Sequence, residues 1–152
     1  MATPEERLAA LGLEVPEVAA PVAAYVPAVR SGQHVFTSGQ LPMRSGELIV
    51  TGKVGGEVSA EEAFMCAQQC ALNAMAAVRA ELGDLAQVKR VVKVVVFVAS
   101  TPDFTGQPGV ANGASELLAQ AFGDAGVHAR SAVGVPSLPL DSPVEVEILV
   151  EV

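Results

Sequence analysis

The run Val-Val-Lys-Val-Val-Val-Phe-Val-Ala over residues 91–99 constrains this chain more than any other segment. β-Branched residues at this density favour extended backbone, and the spacing predicts a strand over residues 88–99. Successive side chains of a strand point to opposite faces. Val92, Val94, Val96 and Val98 therefore point one way, and Val91, Val95 and Phe97 the other. A strand apolar on both faces needs cover on both.

The rest of the chain supplies cover for one. Ser59-Ala60-Glu61-Glu62 is a capping box, in which Ser59 and Glu62 reciprocally satisfy free backbone N–H groups. Ala63, Cys66, Ala67, Cys70, Ala74, Ala77 and Val78 follow at a period near 3.6, and Gly83 marks the stop. A second helix is predicted over residues 110–122, with Ala114, Leu117, Leu118 and Ala121 on one face. Further strands are expected at 35–38, 129–135 and 144–152, with a small hairpin or loop over 42–56 around Leu48-Ile49-Val50. Residues 4–12 read as a short amphipathic helix with Leu8, Leu11 and Leu13 on one side. Pro16 and Pro21 break it, so residues 1–24 form an N-terminal extension. Two helices blanket one face of a four- to six-stranded sheet. The second face is left for another copy of the chain, because large exposed apolar patches mark interaction sites. The alternative is that the extension folds under the sheet.

At 152 residues the chain is long enough for one domain with a proper core. Its net charge of −8, with no basic run, argues against a nucleic-acid partner, since phosphate binding needs clustered Lys and Arg. Residues 1–13 hold no apolar signal core, and the run at 91–99 is far too short to span a bilayer. With two cysteines four apart in a helical pattern, a disulfide is not expected; a cytoplasmic protein without membrane contact is.

Few motifs carry chemistry. Cys66, Cys70, His34 and His128 are the soft metal ligands, and no Cys-x-x-Cys or His-x-x-x-His spacing joins them, so no metal is expected. The cysteines read as small core residues. Residues 46–53 imitate a phosphate loop, but Thr51 and Val54 stand where Gly and Ser or Thr are needed. Ser38 lies in Thr-Ser-Gly-Gln, which is no nucleophile elbow. Arg130 remains. It opens a strand among Ala and Val, and a charge there needs an anionic partner or water. Glu145 on the following strand is one partner, making a structural ion pair; a small-molecule carboxylate fits the same bidentate fork.

Three segments resemble the RidA/YjgF family of reactive-intermediate deaminases. They are Tyr25-Val26-Pro27-Ala28-Val29 with residues 32–42, the strand at 91–98 followed by Asp103-Phe104, and residues 129–133 running through Leu138-Pro139 to Val144-Glu145-Val146-Glu147. The resemblance covers residues 25–152, in order, as one domain after the 1–24 extension. It implies an α/β (α+β) chorismate-mutase-like fold: a mixed β-sheet with two main helices packed on one face. It also implies a barrel-like homotrimer with ligand clefts between subunits. The implied reaction is hydrolysis of enamines and imines derived from amino acids, of the 2-aminoacrylate and 2-iminobutanoate type, to 2-oxo acids and ammonia, without cofactor.

By this resemblance Arg130 clamps the substrate carboxylate and Glu145 positions the attacking water. Tyr25, Ser38, Gly39 and Asn112 line the cleft, as does the backbone of Ala132, where better-studied deaminases often carry Cys. The loop at 46–56 is longer than is usual in the family. The competing function is a non-catalytic trimeric binder or sensor of small carboxylates; Glu145 argues for the enzyme, because a sensor needs only the arginine. An RNA-cleaving activity attributed to some relatives sits poorly with a net charge of −8.

Overall fold

The computed structural model describes residues 1–20 and 24–152. The helices are α1 (Pro4–Ala9), α2 (Ala60–Leu82) and α3 (Gln107–Phe122); the strands are β1 (Ala28–Ser31), β2 (His34–Thr37), β3 (Met43–Arg44), β4 (Glu47–Leu48), β5 (Arg90–Ala99), β6 (Ala129–Val135) and β7 (Val144–Glu151). Five strands make one mixed sheet in the order β1-β2-β7-β5-β6, in which only β5 and β6 run parallel. The expected mixed sheet with two main helices on one face is what the chain forms.

Local signals explain most boundaries. In α2 the Ser59 hydroxyl accepts from the Glu62 N–H and the Glu62 carboxylate accepts from the Ser59 N–H, both at 3.1 Å. Gly83 closes the helix in the left-handed region. The second helix begins three residues before the predicted position, because Pro108 suits its first turn and no side chain caps it to mark the start. The hairpin falls at β3–β4, earlier than expected, turning through Ser45 and Gly46 with positive φ at both. Residues 49 and 50 lie beyond it.

The central strand departs from simple alternation. Val91 pairs with Val150 and Lys93 with Leu149, so Val92 is an extra residue in the β5–β7 ladder. The bulge puts Val91, not Val92, on the buried face with Val94, Val96 and Val98. The opposite face carries Val95, Phe97 and Lys93 on β5, Glu145, Glu147 and Leu149 on β7, Phe36 on β2 and Val133 on β6. Phe36 is 49% and Val133 43% exposed. This face is therefore less uniformly apolar than expected, with glutamates alternating along β7.

The described residues of the N-terminal segment pack with the helices and not under the sheet. Helix α1 packs on α3, and Leu8 is fully buried in the common core. Val15 joins the same core, while the Arg79 guanidinium donates to the carbonyls of Val15 and Pro16 at 3.2 Å. Leu11, predicted on the apolar side, is half exposed because the helix ends at Ala9. The proposed break at Pro21 lies outside the described residues. Among the described residues, no helix is long and apolar enough to cross a membrane.

Candidate functional site

The residues singled out from the sequence fall into two groups. Arg130 pairs in register with Val94, whose side chain is buried toward the helices, and so it faces α3 from the edge strand β6. Its Nη1 donates to Asn112 Oδ1 at 2.8 Å and to Ser115 Oγ at 3.1 Å. Ala132, two residues on, shares this face and is partly buried. The ion pairs among the described residues are Lys53–Asp141 and Arg79–Glu5, and no carboxylate among those residues neutralises Arg130.

The second group gathers where β2 ends. Ser38 donates from its hydroxyl to the Val26 carbonyl at 2.6 Å and from its N–H to the Pro27 carbonyl at 2.8 Å, which holds the chain next to Tyr25 against the strand end. Gln40 and Val146 exchange two backbone hydrogen bonds, 2.8 and 3.0 Å, and so hold Gly39 beside Glu145. The approach is close. A Cβ at position 39 would lie 2.7 Å from the Glu145 carboxyl carbon and 3.0 Å from its Cγ, closer than carbon atoms pack, so glycine is required for this carboxylate to sit here. Burial holds the Glu145 carboxyl above its ordinary pKa, and the neighbouring charge of Glu147 adds to the effect.

The two groups do not meet within one chain. Glu145 stands opposite Phe97, on the face away from the helices, whereas Arg130 stands on the helix face. Strand β5 lies between their strands, which sets the strand axes roughly 10 Å apart. Of the two partners open to Arg130 from the sequence, the structural ion pair with Glu145 therefore does not form. Glu145 lies on the next strand in sequence, but β6 joins the far edge of β5.

Tyr25 and Gly39 form part of the wall of a cavity of about 890 Å³ between the N-terminal segment and α2, lined also by Pro16, Arg44, Gln69 and Asn73. Neither Arg130 nor Glu145 reaches it.

Cys66 and Cys70 are fully buried and free. Burial, with a contribution from Glu62, pushes the Cys66 thiol up to about 11, and burial raises Cys70 well above its ordinary value. Neither is a thiolate at neutral pH, in keeping with the core role expected of them.

Two residues beside Arg130 were given no part in this site from the sequence: Ser115 was not named, and His128 was weighed only as a metal ligand. Ser115 lies one helical turn after Asn112 on α3, and His128 lies two residues before Arg130; their side chains meet at 2.8 Å. The spacings, three on a helix and two along an extended segment, are the signals that place them beside Asn112 and Arg130.

A family model described as "YjgF/chorismate mutase-like, putative endoribonuclease" matches residues 5–152. Protein TCP17 of Trypanosoma cruzi is 48% identical over 142 residues, spanning 93% of this chain and 89% of that protein. A 2-iminobutanoate/2-iminopropanoate deaminase of Dermatophagoides farinae is 34% identical over 140 residues, spanning 91% and 93%. Among solved structures, a protein of unknown function from Agrobacterium tumefaciens superposes with a TM-score of 0.93 at 47% identity, over 98% of this chain and 92% of that one.

Proposed function

The chain belongs to the RidA/YjgF family, whose fold is chorismate-mutase-like, and on that premise we propose that it hydrolyses 2-imino acids and their enamine tautomers to 2-oxo acids and ammonia in the cytoplasm. The active unit is a homotrimer, and each site is shared by two subunits. The observation that carries this reading is the placement of Arg130 on the α3 side of the edge strand β6 and of Glu145 on the opposite face of the sheet, so that the two cannot complete one site within a single chain. A head-to-tail ring of three copies apposes one subunit's Arg130 edge to its neighbour's Glu145 face and buries Phe36 and Val133 in the process.

The chemistry follows from the groups. The Arg130 fork, with Nη1 held by Asn112 and Ser115, binds the substrate carboxylate. That leaves the adjacent imine carbon facing Glu145. As general base, Glu145 accepts a proton from water while the oxygen adds to the imine carbon, giving a carbinolamine. The proton then passes to nitrogen, the hydroxyl gives its own proton back to Glu145 as the C–N bond breaks, and ammonia leaves the 2-oxo acid. A carboxylate of raised basicity suits the first step. The deaminase of Dermatophagoides farinae supports this substrate class, and a net charge of −8 favours it over RNA.

The test generates 2-iminobutanoate in situ and follows 2-oxobutanoate release. Wild-type protein accelerates release, and Arg130→Lys, which keeps the charge but loses the bidentate fork, abolishes the acceleration. Binding of 2-oxobutanoate without any acceleration would make the protein a carboxylate sensor instead.

A further inference from the structure

The His128–Ser115 pair bears directly on how Arg130 is held. His128 Nδ1 lies 2.6 Å from the Gly126 carbonyl oxygen. A carbonyl oxygen can only accept, so in the neutral ring Nδ1 carries the proton and Nε2 is an acceptor. Ser115 Oγ, 2.8 Å from Nε2, therefore donates its single proton to the ring. Its lone pairs are then turned toward Arg130 Nη1, 3.1 Å away. Every hydrogen bond in the chain from Arg130 through Ser115 and His128 to Gly126 thus has one allowed direction.

We infer that Ser115 and His128 are positioning residues that hold the Arg130 guanidinium in its carboxylate-binding pose. The inference rests on the function proposed above for Arg130. His128 fixes the proton of Ser115, and Ser115 presents a lone pair to Nη1. Asn112 supplies the second acceptor to the same nitrogen. Both anchors fall on Nη1, so the pose is set at that nitrogen while Nε and Nη2 keep their donors for the ligand. An unanchored arginine would sample many rotamers and bind a carboxylate at the entropic cost of ordering itself.

The test uses the full-length protein, with four variants read three ways. Ser115→Ala removes the acceptor and is expected to raise KM for 2-iminobutanoate, and Kd for 2-oxobutanoate by calorimetry, about tenfold, as for a lost hydrogen bond to a charged group. Its kcat changes less. Ser115→Thr keeps the hydroxyl and restores binding. His128→Leu raises KM about threefold, a smaller step because it acts through Ser115, and His128→Gln, whose amide oxygen can accept from Ser115, reverses the loss. Long-range ¹H–¹⁵N spectra of the neutral wild-type protein place the His128 proton on Nδ1. A merely structural pair would lower the melting temperature and leave KM unchanged. Folded Ser115→Ala and His128→Leu proteins with wild-type KM and Kd overturn the inference, as does a His128 proton on Nε2. Wild-type protein that binds 2-oxobutanoate but accelerates nothing overturns the deaminase reading alone, with positioning still read from Kd and the tautomer. Wild-type protein that binds no 2-oxobutanoate overturns both.

Discussion

Gly39→Ala separates a structural carboxylate from a working one. The added methyl would lie 2.7 Å from the Glu145 carboxyl carbon, and carbon atoms pack at about 3.5 Å or more, so that carbon must withdraw by roughly 1 Å. The atoms in the way are the far end of a flexible side chain on a partly buried residue, with no backbone atom among the nearest neighbours. Rotation of Glu145 can relieve the clash, and the cost to stability should stay within about 1 kcal/mol, near the low end for point changes. Activity is different. A displacement of about 1 Å of a group that positions the attacking water costs on the order of a hundredfold. The expected result is a melting temperature within a few degrees of wild type and a kcat for 2-oxobutanoate release reduced about a hundredfold. KM should move little, because the carboxylate clamp lies elsewhere. A folded Gly39→Ala protein with wild-type kcat would refute the role given to Glu145.

Two further outcomes are expected. The kcat/KM profile should fall on the acid side at a pH above the ordinary glutamate range, because the raised pKa of Glu145 means its base form is lost earlier as pH drops; Glu145→Gln should abolish that limb and lower kcat about a hundredfold, measured by the same oxo-acid assay across pH. The double variant Cys66→Ala, Cys70→Ala removes two buried sulfurs from α2 and should lose roughly 1–2 kcal/mol in denaturant melts while its turnover stays at the wild-type level.

Much of the architecture was readable from residue patterns, and the exceptions have physical causes. Helix α2 declares itself through a capping box, a 3.6-residue period and a glycine stop, all local signals. Strand β1 was not predicted, because Val29, Arg30 and Ser31 are exposed and have no buried alternation. Its signal is the turn instead: Gly32, with φ 59°, stands first of two residues linking Ser31 to His34, as a tight hairpin requires. The bulge at Val92 is invisible in one strand, since an extra residue exists only relative to the register of β7. The relation of Arg130 to Glu145 is of the same kind. Each stood out alone, but their separation depends on strand order. The β5–α3–β6 crossover places β6 on one edge of β5, and β7 returns to the other.

The central claim is that one site needs Arg130 from one subunit and Glu145 from the next. Arg130→Ala and Glu145→Gln proteins, each at about a hundredth of wild-type activity or less alone, are unfolded together in equal amounts, refolded as mixed trimers and assayed for 2-oxobutanoate release. At each interface of a head-to-tail ring, an intact arginine from one variant meets an intact glutamate from the other in about a quarter of random pairings. The account predicts recovery of about a quarter of wild-type activity. A mixture that refolds, assembles and stays as inactive as its two parents would contradict it.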